Sequence, residues 1–122
     1  MEYIYSFEKL RVWQNARQLS LRIYRLSEKF PQSEKFGLTN QLRRAAVSVS
    51  ANLAEGTSRT TGKDQAHFTT ISYGSLMEVL NHLYLCHDLN YLSKDDLNEL
   101  AVVIKEMSNQ LNSLRKRQLN KD

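Results

Sequence analysis

The sequence predicts an all-α protein, an antiparallel up-down-up-down four-helix bundle. Apolar residues recur at three- and four-residue spacing in four separate runs, the period of a helix with one buried side. The connections between those runs are short, which makes sequential helices antiparallel neighbours. One Pro and four Gly in 122 residues leave few helix breakers, and Leu, Ala, Arg, Lys, Glu and Gln fill most other positions. A chain of this length is expected to form one domain, 1–122, whose core needs neither metal nor disulfide.

Helix one is expected over about 7–29, with Ser6 placed to accept a free N–H at its start. Trp13, Ala16, Leu19 or Ser20, Ile23, Leu26 and Phe30 keep a near-heptad rhythm. Pro31 stops it, because the residue before a proline is pushed out of the helical region. Arg11, Arg17, Arg22 and Arg25 decorate this helix, either as a solvated face or as contacts for a polyanion. The connection Pro31 to Gly37 has room for one helical turn.

Helix two is expected over about 38–59 and contains QLRRAAVSVSANLAEG, from Gln41 to Gly56. Leu38, Leu42, Ala45, Ala46, Val49, Leu53 and Gly56 fall on one arc, flanked by a polar stripe of Gln41, Arg44, Ser48, Asn52, Glu55 and Arg59. The opposite side carries Val47, Ala51 and Ala54, with Arg43 and Ser50 at the margin, where a surface helix carries Lys and Glu. A helix that is apolar on two sides meets two partners, so self-association is expected.

After the loop Thr57 to Lys63, helix three is expected over about 64–91. Its main stripe is Phe68, Ser72, Ser75, Val79, Leu83 and Cys86; a second, Tyr73, Met77, Leu80 and Tyr84, lies on another side. Gly74 costs roughly 1 kcal/mol relative to Ala in a helix interior, which predicts a neighbouring backbone close to it. Ser93 is placed to cap helix four, about 94–118, with Asp95 and Asp96 at the positive end of its dipole. Leu97, Leu100 or Ala101, Ile104, Met107, Leu111 and Leu114 keep a seven-residue beat, and fraying is expected after Gln118.

The formal charge is +4, and residues 1–62 hold ten cations against five acids while 63–122 hold seven against eight. Such an excess permits polyanion binding without demanding it. The single Cys86 excludes an internal disulfide framework and fits a reducing cytoplasm. No apolar run reaches the length of about eighteen residues that a spanning helix needs. MEYIYSFEKL lacks the basic flank and apolar core of a signal peptide, so a cytoplasmic location away from membranes is expected.

Catalytic chemistry finds no residues to use. A di-metal bundle needs Glu-x-x-His pairs, and the nearest approach, Glu78 and His82, is one residue too far apart. His82 and Cys86 supply only two zinc ligands. Ser48, Ser50, Ser72 and Ser75 sit mid-helix, where hydroxyls bond back to the preceding turn. Thr60-Thr61-Gly62-Lys63 is no phosphate loop. Neither enzyme activity nor a metal or cofactor is expected. Asn52, Glu55, Ser75 and Glu78 lie beside apolar arcs, where a half-buried carboxylate requires a partner. Glu55 can pair with Arg59 one turn away, and Glu78 calls for a cation such as Arg43 or Arg44. A network fixing helix register and a ligand site both remain open.

Phe7-Glu8-Lys9-Leu10-Arg11-Val12-Trp13-Gln14-Asn15-Ala16, Phe30-Pro31 with Glu34 and Gly37-Leu38, Gln41-Leu42-Arg43-Arg44-Ala45-Ala46 with Ser48, Asn52-Leu53-Ala54-Glu55-Gly56, and Gly74-Ser75-Leu76-Met77-Glu78 resemble the 23S rRNA intervening-sequence proteins. The blocks span about 7–92; helix four adds only a generic pattern, and Ser72 stands where the family often has Ala. The resemblance implies a four-helix bundle that assembles into a ring, a homopentamer. It also implies kinship with the accessory variability protein of diversity-generating retroelements, which binds a reverse transcriptase.

The expected function is a non-catalytic oligomeric bundle that binds structured RNA, rRNA included, or a ribonucleoprotein. Arg11, Arg17, Arg22, Arg25, Arg43, Arg44, Arg115, Lys116 and Arg117 are the candidate phosphate contacts. Val47, Ala51, Asn52, Ala54, Glu55, Tyr73, Met77, Glu78 and Tyr84 are the candidates for a subunit interface or polar network. The alternative is a protein–protein adaptor or assembly factor for a neighbouring enzyme, without nucleic-acid contact.

Overall fold

The computed structural model describes residues 3–121; Met1, Glu2 and Asp122, the outermost positions of the expected domain, lie outside it. Four helices, α1 (Arg11–Ser27), α2 (Leu38–Thr57), α3 (Gly62–Asp88) and α4 (Lys94–Leu119), make an all-α fold with no strand among the described residues.

The start of α1 departs from expectation. Ser6–Lys9 forms a separate 3-10 turn, closed by the Glu8 carboxylate accepting from the Tyr5 N–H at 2.8 Å. Leu10 is extended, with φ −75° and ψ 122°, so α1 begins at Arg11 and Ser6 does not cap it. The Gln14 amide donates to the Glu8 carbonyl at 2.9 Å and ties turn to helix. At its other end α1 stops at Ser27, before Phe30 and Pro31, and the connection holds one short 3-10 turn, Gln32–Glu34.

The cap of α3 is Thr61, whose hydroxyl accepts from the Asp64 N–H at 3.1 Å. The helix ends at Asp88 because Asn90 adopts a left-handed conformation, φ 66°. The Tyr91 N–H then reaches the Cys86 carbonyl at 2.8 Å and the Asn90 N–H the His87 carbonyl at 2.9 Å, a Schellman closure with Asn in place of Gly. Ser93 caps α4 as its sequence predicts, accepting from the Asp96 N–H at 3.1 Å. The last turn of α4 is anchored: the Thr69 hydroxyl donates to the buried Gln118 amide oxygen at 2.7 Å, and the helix continues to Leu119.

Cross-helix bonds fix the antiparallel order. Arg43 meets Ser27 and Tyr24 across α1 and α2, and Ser48 meets Ser75 across α2 and α3 at 2.8 Å. Asn15 meets Gln110 at 3.0 Å and Arg22 meets Glu99 at 2.8 Å across α1 and α4. Leu42, Ala46, Val49, Leu76, Val79, Leu83, Cys86, Leu100, Ile104, Met107 and Leu111 are sealed in the core with Ala16 and Ile23. The α2–α3 contact is the most extensive and α1–α4 the thinnest. Ser72 does not bond back along its own helix; its buried hydroxyl donates to the Val49 carbonyl of α2 at 3.0 Å.

The two-sidedness of α3 has an internal cause, since α3 packs against both α2 and α4. Tyr73, Met77 and Leu80 lie partly buried against the core, and only Tyr84 of that stripe is half exposed, at 50%. Gly74 is not closely approached: a Cβ there would meet nothing within 4 Å. Gly56 is the crowded glycine, where a Cβ would lie 2.8 Å from the Phe68 Cβ and 3.4 Å from the Gln65 carbonyl oxygen.

Candidate nucleic-acid interface

The antiparallel order brings the start of α1, the end of α2, the start of α3 and the end of α4 to one end of the bundle. Among the described residues Lys9, Arg11, Arg59, Lys63, Arg115, Lys116, Arg117 and Lys121 gather there, against Glu8, Glu55 and Asp64, with Glu106 at the edge of the cluster. The other end carries Arg22, Arg25, Lys29, Lys35 and Lys94 against Glu28, Glu34, Asp88, Asp95, Asp96 and Glu99. Cations that are far apart in sequence, at the start of α1 and in the α4 tail, therefore form one cluster in space. The bundle is electrically polarised along its length, and a clustered positive field raises the local concentration of polyanions.

Arg11 and Arg117 line the same hollow of about 380 Å³, together with Asn109, Ser113 and Glu106. The Arg115 Nε donates to the Thr70 hydroxyl at 2.9 Å, a neutral partner that leaves its charge uncompensated. Lys116 and Arg117 are exposed. Arg17 lies against the Trp13 ring, 5.7 Å from its centre. Arg25 is exposed but stands near the acidic end, and Arg22 is engaged by Glu99.

Arg43 belongs to the fold. Its Nε donates to the Ser27 hydroxyl at 2.8 Å and one Nη to the Tyr24 carbonyl at 3.3 Å, with the guanidinium 4.6 Å above the Tyr24 ring. A cation at the negative end of α1 is favourably placed. Within the protomer Arg43 reaches neither Glu55 nor Glu78; Ser27 and Tyr24 hold its guanidinium instead. Arg44, one position on, is exposed and lines an open groove of about 430 Å³ with Gln41, Ala45, Ser48, Ser75 and Glu78.

Glu55 pairs with Arg59 at 3.0 Å, as their helical spacing predicts. Glu78 does not acquire a cation from another helix of the protomer: its side chain is 67% exposed, and the His82 Nε2 of its own helix lies 4.0 Å away. Asn52 donates to the Ser48 carbonyl at 2.9 Å and hydroxyl at 3.0 Å, and Ser48 meets Ser75. That chain of bonds fixes the register of α2 on α3. On the outer side of α2, Val47 is 43% exposed, Ala51 is exposed and Ala54 is half-buried.

Cys86 is sealed, and burial, with the nearby Glu34 charge second, pushes its thiol pKa up to about 11. Its nucleophilic thiolate is thereby suppressed at neutral pH. No group of three or more His, Cys, Asp and Glu is arranged to hold a metal among the described residues. No helix there is long and apolar enough to cross a membrane. The residues expected from the sequence did not include Lys9, Arg59, Lys63 and Lys121, which lie at this end, nor the ring run of Tyr3, Tyr5, Phe7 and Trp13 beside them. Its signal was present as aromatics at alternate positions just before the first helix.

A family model described as 23S rRNA-intervening sequence protein matches residues 8–113. Among solved structures, the fold is similar to a protein of unknown function from the S23 ribosomal protein family of Bacteroides thetaiotaomicron. The TM-score is 0.79 at 20% identity, over 86% of this chain and 98% of that one. Comparison with curated proteins gives no match.

Proposed function

The chain belongs to the 23S rRNA-intervening sequence protein family, and on that premise we propose that it is a non-catalytic, self-assembling bundle of the cytoplasm that binds structured RNA or a ribonucleoprotein. The supporting observation is the basic end. Arg11, Arg115, Lys116 and Arg117 gather there without an ion pair to an acid among the described residues, whereas Arg22 and Arg43, elsewhere, are consumed within the fold. Phosphates would engage these side chains as point charges and forks, with little regard for sequence.

Titration with an rRNA fragment at about 50 and 200 mM salt tests this reading. Affinity should fall steeply with salt, and Arg115→Glu/Lys116→Glu/Arg117→Glu should flatten the salt slope by roughly one per lost contact. The same reversal at Arg25 should do far less. Absence of binding at the lower salt would refute the reading. A protein adaptor is the second reading, favoured by the uncovered apolar side of α2 at Val47 and Ala51. It predicts a protein partner that stays bound after nuclease treatment.

A further inference from the structure

We propose that the N-terminal aromatic run is a stacking platform for unpaired bases, so that the basic end recognises single-stranded polynucleotide in addition to duplex phosphate; this rests on the nucleic-acid reading above. The rings form a continuous chain across the surface. Tyr3 and Tyr5 meet edge to face at 4.6 Å and 63°, and Tyr5 and Phe7 are near-parallel at 6.3 Å and 15°. Phe7 then meets Trp13 edge to face at 4.9 Å and 69°. Arg17 closes the chain over Trp13.

Two properties separate this run from a patch of misplaced core. Its outer rings face water, Tyr3 at 76% and Tyr5 at 59% exposure, yet the backbone from Tyr5 onward is held in place. The Glu8 carboxylate fixes the Tyr5 N–H, and Gln14 fixes the Glu8 carbonyl. Rings already held in position lose little freedom when a planar ligand lands on them.

The second property is charge. From Tyr3 to Arg17, the stretch at this end of the bundle, the chain carries Lys9, Arg11 and Arg17, with Glu8 the one acid, and Glu8 is already engaged. An occupant with flat faces and a regular negative charge matches both properties. Base–aromatic stacking contributes about 1–3 kcal/mol per base and is indifferent to sequence. A purely apolar protein partner would leave the cations unused.

Trp13 is the one tryptophan of the chain, so its fluorescence reports the site. Wild type and Tyr3→Leu/Tyr5→Leu, which keeps apolar bulk and removes two π-faces, are titrated with an oligouridylate of about ten nucleotides and with a mixed RNA duplex. The strand should quench Trp13. The double variant should bind it about tenfold or more weakly, with an unchanged salt slope and unchanged duplex affinity. No loss, or equal loss for strand and duplex, overturns the platform. So does a change in mass by light scattering, which would make the rings a subunit contact, or retention on anionic phospholipid vesicles that the variant loses. Tail reversal at Arg115, Lys116 and Arg117 separates the two readings: if it weakens both nucleic acids while the tyrosine variant weakens neither, the platform falls and the basic end stands. If wild type binds neither at low salt, both fall.

Discussion

A glycine inside a helix is explained by what would occupy the space of its missing side chain, and Gly56 and Gly74 give opposite answers. At Gly56 a methyl group would collide with the Phe68 Cβ at 2.8 Å, a backbone-anchored atom that cannot swing aside. Gly56→Ala should therefore force the end of α2 from the start of α3 and destabilise the protein by about 1–3 kcal/mol. At Gly74 a methyl group would meet nothing within 4 Å, so Gly74→Ala should stabilise the protomer by about 0.5–1 kcal/mol through helix propensity. Urea unfolding of both variants checks this pair of signs. A destabilised Gly74→Ala would mean that the glycine faces another copy of the chain. Both residues carry the same letter on neighbouring helices, and what distinguishes them is that Gly56 alone lies where α2 packs closely on Gln65 and Phe68 of α3.

The helices were legible as elements because each has a long apolar period and three lie next to Pro, Gly or a capping Ser. What escaped was local turn chemistry. Leu10 breaks the expected first helix without being a breaker by type, because Glu8 and Gln14 stabilise a 3-10 turn ahead of it. Asn90 ends α3 short of Tyr91 by taking a left-handed backbone that Asn tolerates but seldom advertises. The adjacent arginines of α2 show the same limit at the candidate site. Arg43 and Arg44 differ by one step of about 100° around the helix, which is enough to turn one onto Tyr24 and Ser27 and the other toward solvent. Arg43→Gln should cost about 1–2 kcal/mol of stability by releasing a charge-assisted bond at the end of α1, while the salt slope of RNA binding stays that of wild type. Unfolding curves and the two-salt titration, run side by side, decide it; a flattened slope would return Arg43 to the phosphate contacts.

For the whole molecule the polarity of charge and the bare side of α2 act together if copies assemble. Two apolar flanks predicted two partners for α2, and within the protomer α1 and α3 cover most of it but leave Val47 and Ala51 outside. A rotational ring built on that side keeps every protomer related by one axis, so all basic ends lie on the same side of the ring whenever the bundle has a component along that axis. Several weak phosphate sites on one rim raise affinity by effective concentration, by as much as about 10²–10⁴ over a single site. Val47→Glu places a charge in the contact, and light scattering should then report 14.2 kDa in place of a multiple of it. The same variant should lose RNA affinity far beyond what one added negative charge removes, although no cation has been touched. Retained mass would place the subunit contact on another side, and lost mass with retained affinity would show that one basic end binds alone.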